Sequence, residues 1–219
     1  MCGRFAIFAT AAELQRRYDI EVPEEYRQSY NASPGQSLPI VVPESKSLVF
    51  SNWGLKPHWM KGKDSAYSMI NAKAETIMEK KSYAEAFESR RCIVPVSGFY
   101  EWKHENRRKI PYFIRTTDTL SSLAGIYEEQ LPANKDAAST FSIITTAPNG
   151  FMKPIHGRMP AILEKGAEKQ FLSCSAKEAF SMLLPYSGQM YAEKASIQVN
   201  NPKNNYQGLL QRDKGLLDF

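Results

Sequence analysis

The chain has 219 residues, 42% hydrophobic and 23% charged, with 28 Lys and Arg against 23 Asp and Glu, a net charge of +5 and a pI near 9.0. No run reaches the ~20 apolar residues of a membrane helix, and no charged segment leading into an apolar one opens the chain, so the expectation is a soluble cytoplasmic protein of one domain with no membrane partner. Three separated cysteines without a C-x-x-C pair (Cys2, Cys92, Cys174) and three histidines without H-x-x-x-H spacing (His58, His104, His156) argue against a disulfide framework and a zinc site, and no cofactor is expected.

In chain order, "RFAIF" (Arg4 to Phe8) reads as a strand, and Thr10 with Glu13 as a capping box that opens a helix through Tyr18. "YNASPGQ" (Tyr30 to Gln36) is turn chemistry; "LPIVV" and "SLVFSNWG" are strands joined by a polar turn, and the Gly- and Pro-punctuated "SNWGLKPHW" is a loop leaving the second. "KAETIMEK" and "SYAEAFESRR" read as helices, the latter with Ser82 and Glu85 at capping-box spacing. From residue 91 the pattern turns mostly to strands, "RCIVPVSGFYEW", "IPYFIRT", "SLAGIYEE" and "TFSIITTA", separated by polar turns such as "KHENRRK". "SAKEAFSMLL" is a helix capped by Ser175 and Glu178, while "QVNNPKNN" and the stretch to Phe219 lack periodicity. Strands and helices mix without βαβ regularity. The fold class is therefore α+β: one domain over residues 2–205 with a largely antiparallel β core and short flanking helices, followed by a loosely ordered tail over 206–219.

Candidate chemistry begins at Cys2. Removal of Met1 would leave an α-amine of pKa about 7.7–8.0 beside a thiol of about 8.5, two nucleophiles on one residue. Such a 1,2-aminothiol can form an imine with an aldehyde and close through sulfur to a thiazolidine; it can also serve as an N-terminal hydrolase nucleophile, or be an incidental small buried residue. In "SGFYEW", period-2 alternation puts Glu101 on the face of Phe99, away from Tyr100 and Trp102. It is either an edge carboxylate paired with an arginine or one tuned by burial for proton transfer. His156 and Arg158 share the loop "PIHGRMP", where a histidine is either solvated or placed for proton transfer beside a phosphate-binding arginine. Asn71 in "INAKAET" is a helix N-cap or a bifunctional orienting amide, and "TTAPN" (Thr145 to Asn149) is a turn. Arg4, Lys73, Arg90, Arg91 and Arg158 lie near these motifs, and Trp53, Trp59 and Trp102 are available to stack on bases.

Taken together, "MCGRF", "YNASPGQ", "WGLKPHW", "INAKAET", "RRCIVPVSGFYEW", "TTAPN", "IHGRMP" and "VNNPKNN" resemble, in order, the motifs of the SRAP family (SOS response-associated peptidases, abasic-site processing proteins), from residue 2 to about 205. The resemblance implies a thiazolidine crosslink between the exposed terminal cysteine and the ring-opened sugar of an abasic site in single-stranded DNA, with autoproteolytic exposure of that cysteine and a possible lyase activity. It makes Cys2 the nucleophile and Asn71 the residue that orients it. Glu101 becomes the acceptor of the amine proton and an aid to Met1 removal, and His156 the proton donor to the sugar ring oxygen. Arg4, Lys73 and Arg158 become phosphate contacts, with Trp53 and Met159 on the DNA side. The implied partner is single-stranded DNA carrying the lesion, met by a monomer in the cytoplasm and at the nucleoid. Lys73 stands where the family commonly has arginine, giving a point-charge contact, and Gly157 where an acidic residue is common. Two other readings remain, a class II glutamine amidotransferase, which also begins Met-Cys-Gly, and a non-covalent single-strand binding module.

Overall fold

The computed structural model describes residues 2–59, 69–129 and 139–211, and none of its described helices is long and apolar enough to cross a membrane. Two sheets pack against each other. The first is antiparallel throughout, in the order β13 (Met190–Lys194), β8 (Arg108–Thr116), β7 (Gly98–Glu105), β1 (Phe5–Ile7) and β2 (Ser29–Ala32). The second runs β12 (Ile162–Leu163), β9 (Ser121–Glu128), β10 (Thr140–Thr146), β4 (Val49–Trp53) and β3 (Ser37–Ile40), with β6 (Arg91–Val96) also on β9. Strand β10 organises the site end of this sheet. Its first half pairs with β4 in parallel and β9 in antiparallel fashion; further along, β5 (Asn71–Lys73) replaces β4 on one edge and β11 (Met159–Pro160) replaces β9 on the other.

The main core lies between the sheets, where Phe5 of the first meets Trp53 of the second with ring centroids 5.1 Å apart. The chain passes from one sheet to the other at Ser97. Every residue of β6 is buried, the Ser97 backbone N–H donates to Ala6 O (2.8 Å), its Oγ accepts from Phe8 N (3.0 Å), and β7 then starts at Gly98. A Cβ there would lie 2.4 Å from Phe113 Cζ and 2.6 Å from the Ile114 carbonyl oxygen, so the crossing needs glycine. The outer face of the first sheet carries a smaller cluster of Ala6, Tyr100, Phe113, Ala195 and Val199.

Helix α1 (Ala11–Tyr18) has the expected reciprocal Thr10–Glu13 box, and α4 (Ala176–Ser181) the Ser175–Glu178 one. Helices α2 (Ala84–Ser89) and α3 (Glu168–Ser173) end against one buried cation. The Arg91 guanidinium donates to Phe87 O (2.7 Å) and Glu88 O (3.0 Å) from α2, and to Phe171 O (2.7 Å) and Cys174 O at the end of α3.

Several local expectations are corrected. Residues 73–80 form no α-helix: Asn71–Lys73 is drawn into the sheet by the edge of β10 beyond Trp53, and only the 3-10 turn Ala74–Thr76 follows. Tertiary pairing overrides local propensity there. Helix α2 starts after Tyr83 with no side-chain cap, because Glu85 pairs with Arg90 (3.1 Å) instead of closing a box with Ser82. Tyr30–Ala32 and Thr145–Thr146 belong to strands, the turn being confined to the residues around Gly35, whose φ is 85°. Neither α3 nor β13 is anticipated by the sequence pattern. The aperiodic stretch that starts at Gln198 overlaps the 3-10 turn Ile197–Asn200 and contains the turn Gln207–Leu210, and the Asn31 amide donates to the carbonyls of Val199 (3.3 Å), Asn201 (3.0 Å) and Asn204 (2.7 Å). Of the tail set apart at 206–219, Leu209 is fully buried and residues 212–219 lie outside the described ones.

Candidate active site

The end of β1 carries Cys2 into the seam between the sheets. Phe5 faces Phe99, Ala6 faces Gly98, and the Tyr100 N–H donates to Arg4 O (2.9 Å), so the register brings the chain's first residues alongside Glu101 and Trp102. Cys2 is completely buried. Burial first, and the Glu101 carboxylate second, push its thiol well above the ordinary range, so sulfur is protonated while the preceding peptide bond keeps the nitrogen an amide.

Strand β5 supplies the facing side chain from the second sheet. Asn71 Nδ2 donates to Cys2 O at 2.8 Å, while Tyr83 OH donates to the Asn71 backbone carbonyl at 3.3 Å. Asn71 Oδ1 is buried and has no hydrogen-bond partner among the described residues, an acceptor left open beside Cys2. The amide therefore contacts Cys2 directly and caps no helix.

Glu101 is 2% exposed on the face it shares with Phe99, while Tyr100 and Trp102 belong to the outer cluster, as the alternation of "GFYEW" predicts. Burial raises its carboxyl pKa, against the lowering effect of nearby positive charge, His156 included, and of a hydrogen bond from the Trp102 backbone. His156 Nδ1 lies 3.9 Å from Glu101 Oε1 and 3.1 Å from both the N–H and the C=O of Arg158. Nδ1 accepts from that N–H in one ring tautomer and donates to that C=O in the other, so the loop holds the ring in place either way.

The expected phosphate contacts fare unequally. Lys73 is exposed. The Arg158 guanidinium is held by Glu75 in a bidentate pair (2.5 and 2.9 Å) and also donates to Thr145 O (2.6 Å), which fixes the His156 loop against β10. Arg4 donates from Nη1 to Asn31 Oδ1 (2.7 Å) and Val199 O (2.8 Å). Trp53 is 1% exposed, with its indole N–H on Ile70 O (2.9 Å) and its ring stacked on Phe141, so no face remains for a base. Met159 is fully buried, its sulfur accepting from Asn149 N (3.4 Å). The structure thus brings Cys2, Asn71, Glu101 and His156 together, whereas Trp53 and Met159 are buried in the core.

Glu75 and Thr145 are not singled out by the sequence. Both sit inside recognisable motifs, yet the signal that pairs Glu75 with Arg158 is the parallel register of β5 on β10, which local pattern does not carry. A groove of about 500 Å³ beside the site, lined by Glu101, Trp102, His104, Lys109, His156 and Asn200, likewise has no sequence signature.

Comparison with known proteins shows what the chain as a whole is similar to. The chain is 40% identical to the abasic site processing protein YoaM of Bacillus subtilis (strain 168), over 97% of this chain and 99% of that one. It is 31% identical to the abasic site processing protein HMCES of Rattus norvegicus, over 94% of this chain and 74% of that one. A crystal structure of a protein from Bacteroides thetaiotaomicron superposes with a TM-score of 0.86 at 32% identity, covering 97% of this chain and 100% of that one. The family model "SOS response associated peptidase (SRAP)" matches residues 1–202, and the chain belongs to that family.

Proposed function

We propose that this chain processes abasic sites in single-stranded DNA by trapping the ring-opened deoxyribose on Cys2 once Met1 has been removed. The observation that carries the reading is the convergence from two sheets of Asn71, Glu101 and His156 on one residue, with Asn71 bonded to the Cys2 carbonyl at 2.8 Å. The names of the relatives, abasic site processing proteins, support the substrate class.

Removal of Met1 converts the Cys2 nitrogen from an amide into an amine, and the open Asn71 Oδ1 can then accept one of its protons. Glu101, which also assists Met1 removal, takes a proton from the amine so that nitrogen can attack the sugar C1′ aldehyde. That aldehyde is freed beforehand, His156 supplying a proton to the sugar ring oxygen as the C1′ hydroxyl gives up its own; the carbinolamine formed by nitrogen then loses its oxygen as water to give an imine. Sulfur then adds to the imine carbon, its proton passing to nitrogen, and the thiazolidine closes. No external oxidant or reductant takes part.

Intact mass of the Met1-less protein, before and after incubation with a strand carrying an abasic site, tests the reading: a mass gain equal to the strand less one water is expected. Cys2→Ala should give no adduct, and Cys2→Ser only a species that survives denaturation after borohydride reduction. Unchanged mass in a folded, Met1-less sample would overturn the proposal. Glutamine turnover in place of an adduct would favour the amidotransferase reading, and equal affinity for intact and abasic strands the non-covalent one.

A further inference from the structure

The guanidinium groups of Arg158 and Arg4 bond to Glu75 and to Asn31 and Val199 O, while a further set of cations lies exposed beyond the site. Strand β1 runs out beside Trp102, and among the described residues nothing pairs with that edge of β7 farther on. The groove of about 500 Å³ begins there, at Glu101 and His156, and follows the open edge past Trp102 to His104 and Lys109, with Asn200 on its wall accepting from the Trp102 indole N–H at 2.8 Å. Pairing of β7 with β8 continues to Glu105 opposite Arg108, which carries the hairpin about 13 Å beyond Glu101 at ~3.3 Å per residue.

The charge along this arm is unbalanced. Its acid, Glu105, is neutralised by Lys103 at 2.8 Å and Lys194 at 3.9 Å. Arg107, Arg108 and Lys109 are exposed and, among the described residues, in no ion pair. Asn106 and Arg107 form the tip with φ of 45° and 65°, a tight left-handed turn that fixes where these cations point relative to the strands.

We propose that the open edge of β7 and the tip of the β7–β8 hairpin form a track for the DNA backbone on one flank of the lesion, with His104 and Lys109 in the groove and Arg107 and Arg108 at its far end. The occupant is a single strand, since the groove starts at the reactive pair and the exposed cations of the hairpin lie along its outer course. The inference rests on the reading of the substrate as DNA. It makes the site directional, because one flank meets the hairpin and the other does not.

The test removes the three free charges as R107N/R108Q/K109Q, asparagine being chosen because it tolerates the left-handed conformation at position 107. Affinity for an undamaged single strand, measured in a Cys2→Ala background so that no covalent step intervenes, should fall several-fold at low salt. The slope of log K against log salt should become shallower by about 2, since each phosphate that is no longer neutralised takes ~0.7 off it. The control R16Q/K165Q/K177Q, which removes three exposed charges elsewhere, should change both much less. With Cys2 restored, the rate of adduct formation should drop on strands that extend on one side of the lesion only, and not on strands truncated on that side. Equal losses in the two triple variants, or equal losses on both flanks, would reduce the effect to net charge and overturn the track. Wild-type binding with no loss in the hairpin variant would overturn the track while leaving the covalent reading intact, and failure of the wild type to bind DNA would overturn both. Matching thermal transitions exclude misfolding as the cause.

Discussion

At the residue scale, the central feature is a carboxyl group kept out of water. Glu101 is 2% exposed, and burial raises its pKa despite nearby positive charge. A folded-state carboxyl that holds its proton more tightly than the unfolded chain stabilises the fold below the ordinary carboxylate pKa, and that contribution is lost as pH rises through the raised value. Glu101→Gln, which has no proton to lose, should therefore become progressively more stable than wild type as pH rises from acid toward neutral. Thermal midpoints measured across that range check the sign. The same variant should slow adduct formation by about 10²- to 10⁴-fold, the usual worth of a positioned base. Stability gained where chemistry is lost is the signature of a residue retained for reaction. Glu101 was legible in the sequence because a charged residue interrupts an otherwise apolar alternating run. Its partner across the seam, Asn71, was legible only as a polar residue at a segment start, since nothing local distinguishes an amide that caps a helix from one that bonds the Cys2 carbonyl.

At the element scale, what could be read followed from periodicity and capping, and what could not followed from pairing. The two reciprocal boxes at Thr10 and Ser175 formed as expected because a cap is satisfied within one turn of its own helix. The segment from Lys73 to Lys80 has helix-forming composition, yet its first residue is claimed by β10 across about 70 positions of sequence. Such long-range competition leaves no local trace. Gly98 shows the converse, a local residue whose reason is entirely tertiary. Gly98→Ala would press a methyl against the Ile114 carbonyl, which is backbone, and against the Phe113 ring. The expected cost is about 1–3 kcal/mol, from overpacking that cannot relax cheaply, and a urea unfolding series checks it. Because Gly98 opens the strand that carries Glu101, the same substitution should also slow adduct formation.

For the whole molecule, the α+β class and the antiparallel character of the first sheet followed from the run of strands after residue 91, whereas the parallel contacts of β4 and β5 with β10 did not. The segment beyond β13 looked structureless because its order depends on a distant amide, Asn31, and on covering Tyr100 and Phe113 rather than on its own repeat. A chain ended after Ala195 should expose that cluster and leave the Arg4 guanidinium without its Val199 carbonyl. The expected outcome is increased binding of an apolar dye, a lower unfolding midpoint and slower capture at Cys2, since Arg4 lies two residues from the nucleophile. Unchanged dye binding would show that the cluster is covered by something else.

The reactive groups do not sit on one surface: Cys2 leads into β1 and Glu101 lies in β7 of one sheet, while Asn71 lies in β5 and the His156 loop leads into β11 of the other. The gap between them is thus a gauge of how the two layers are seated. A substitution deep at the Phe5–Trp53 contact, far from any solvent, would act like a shim under one jaw of a clamp, and capture should fade on warming at temperatures where each layer still keeps its own strands paired.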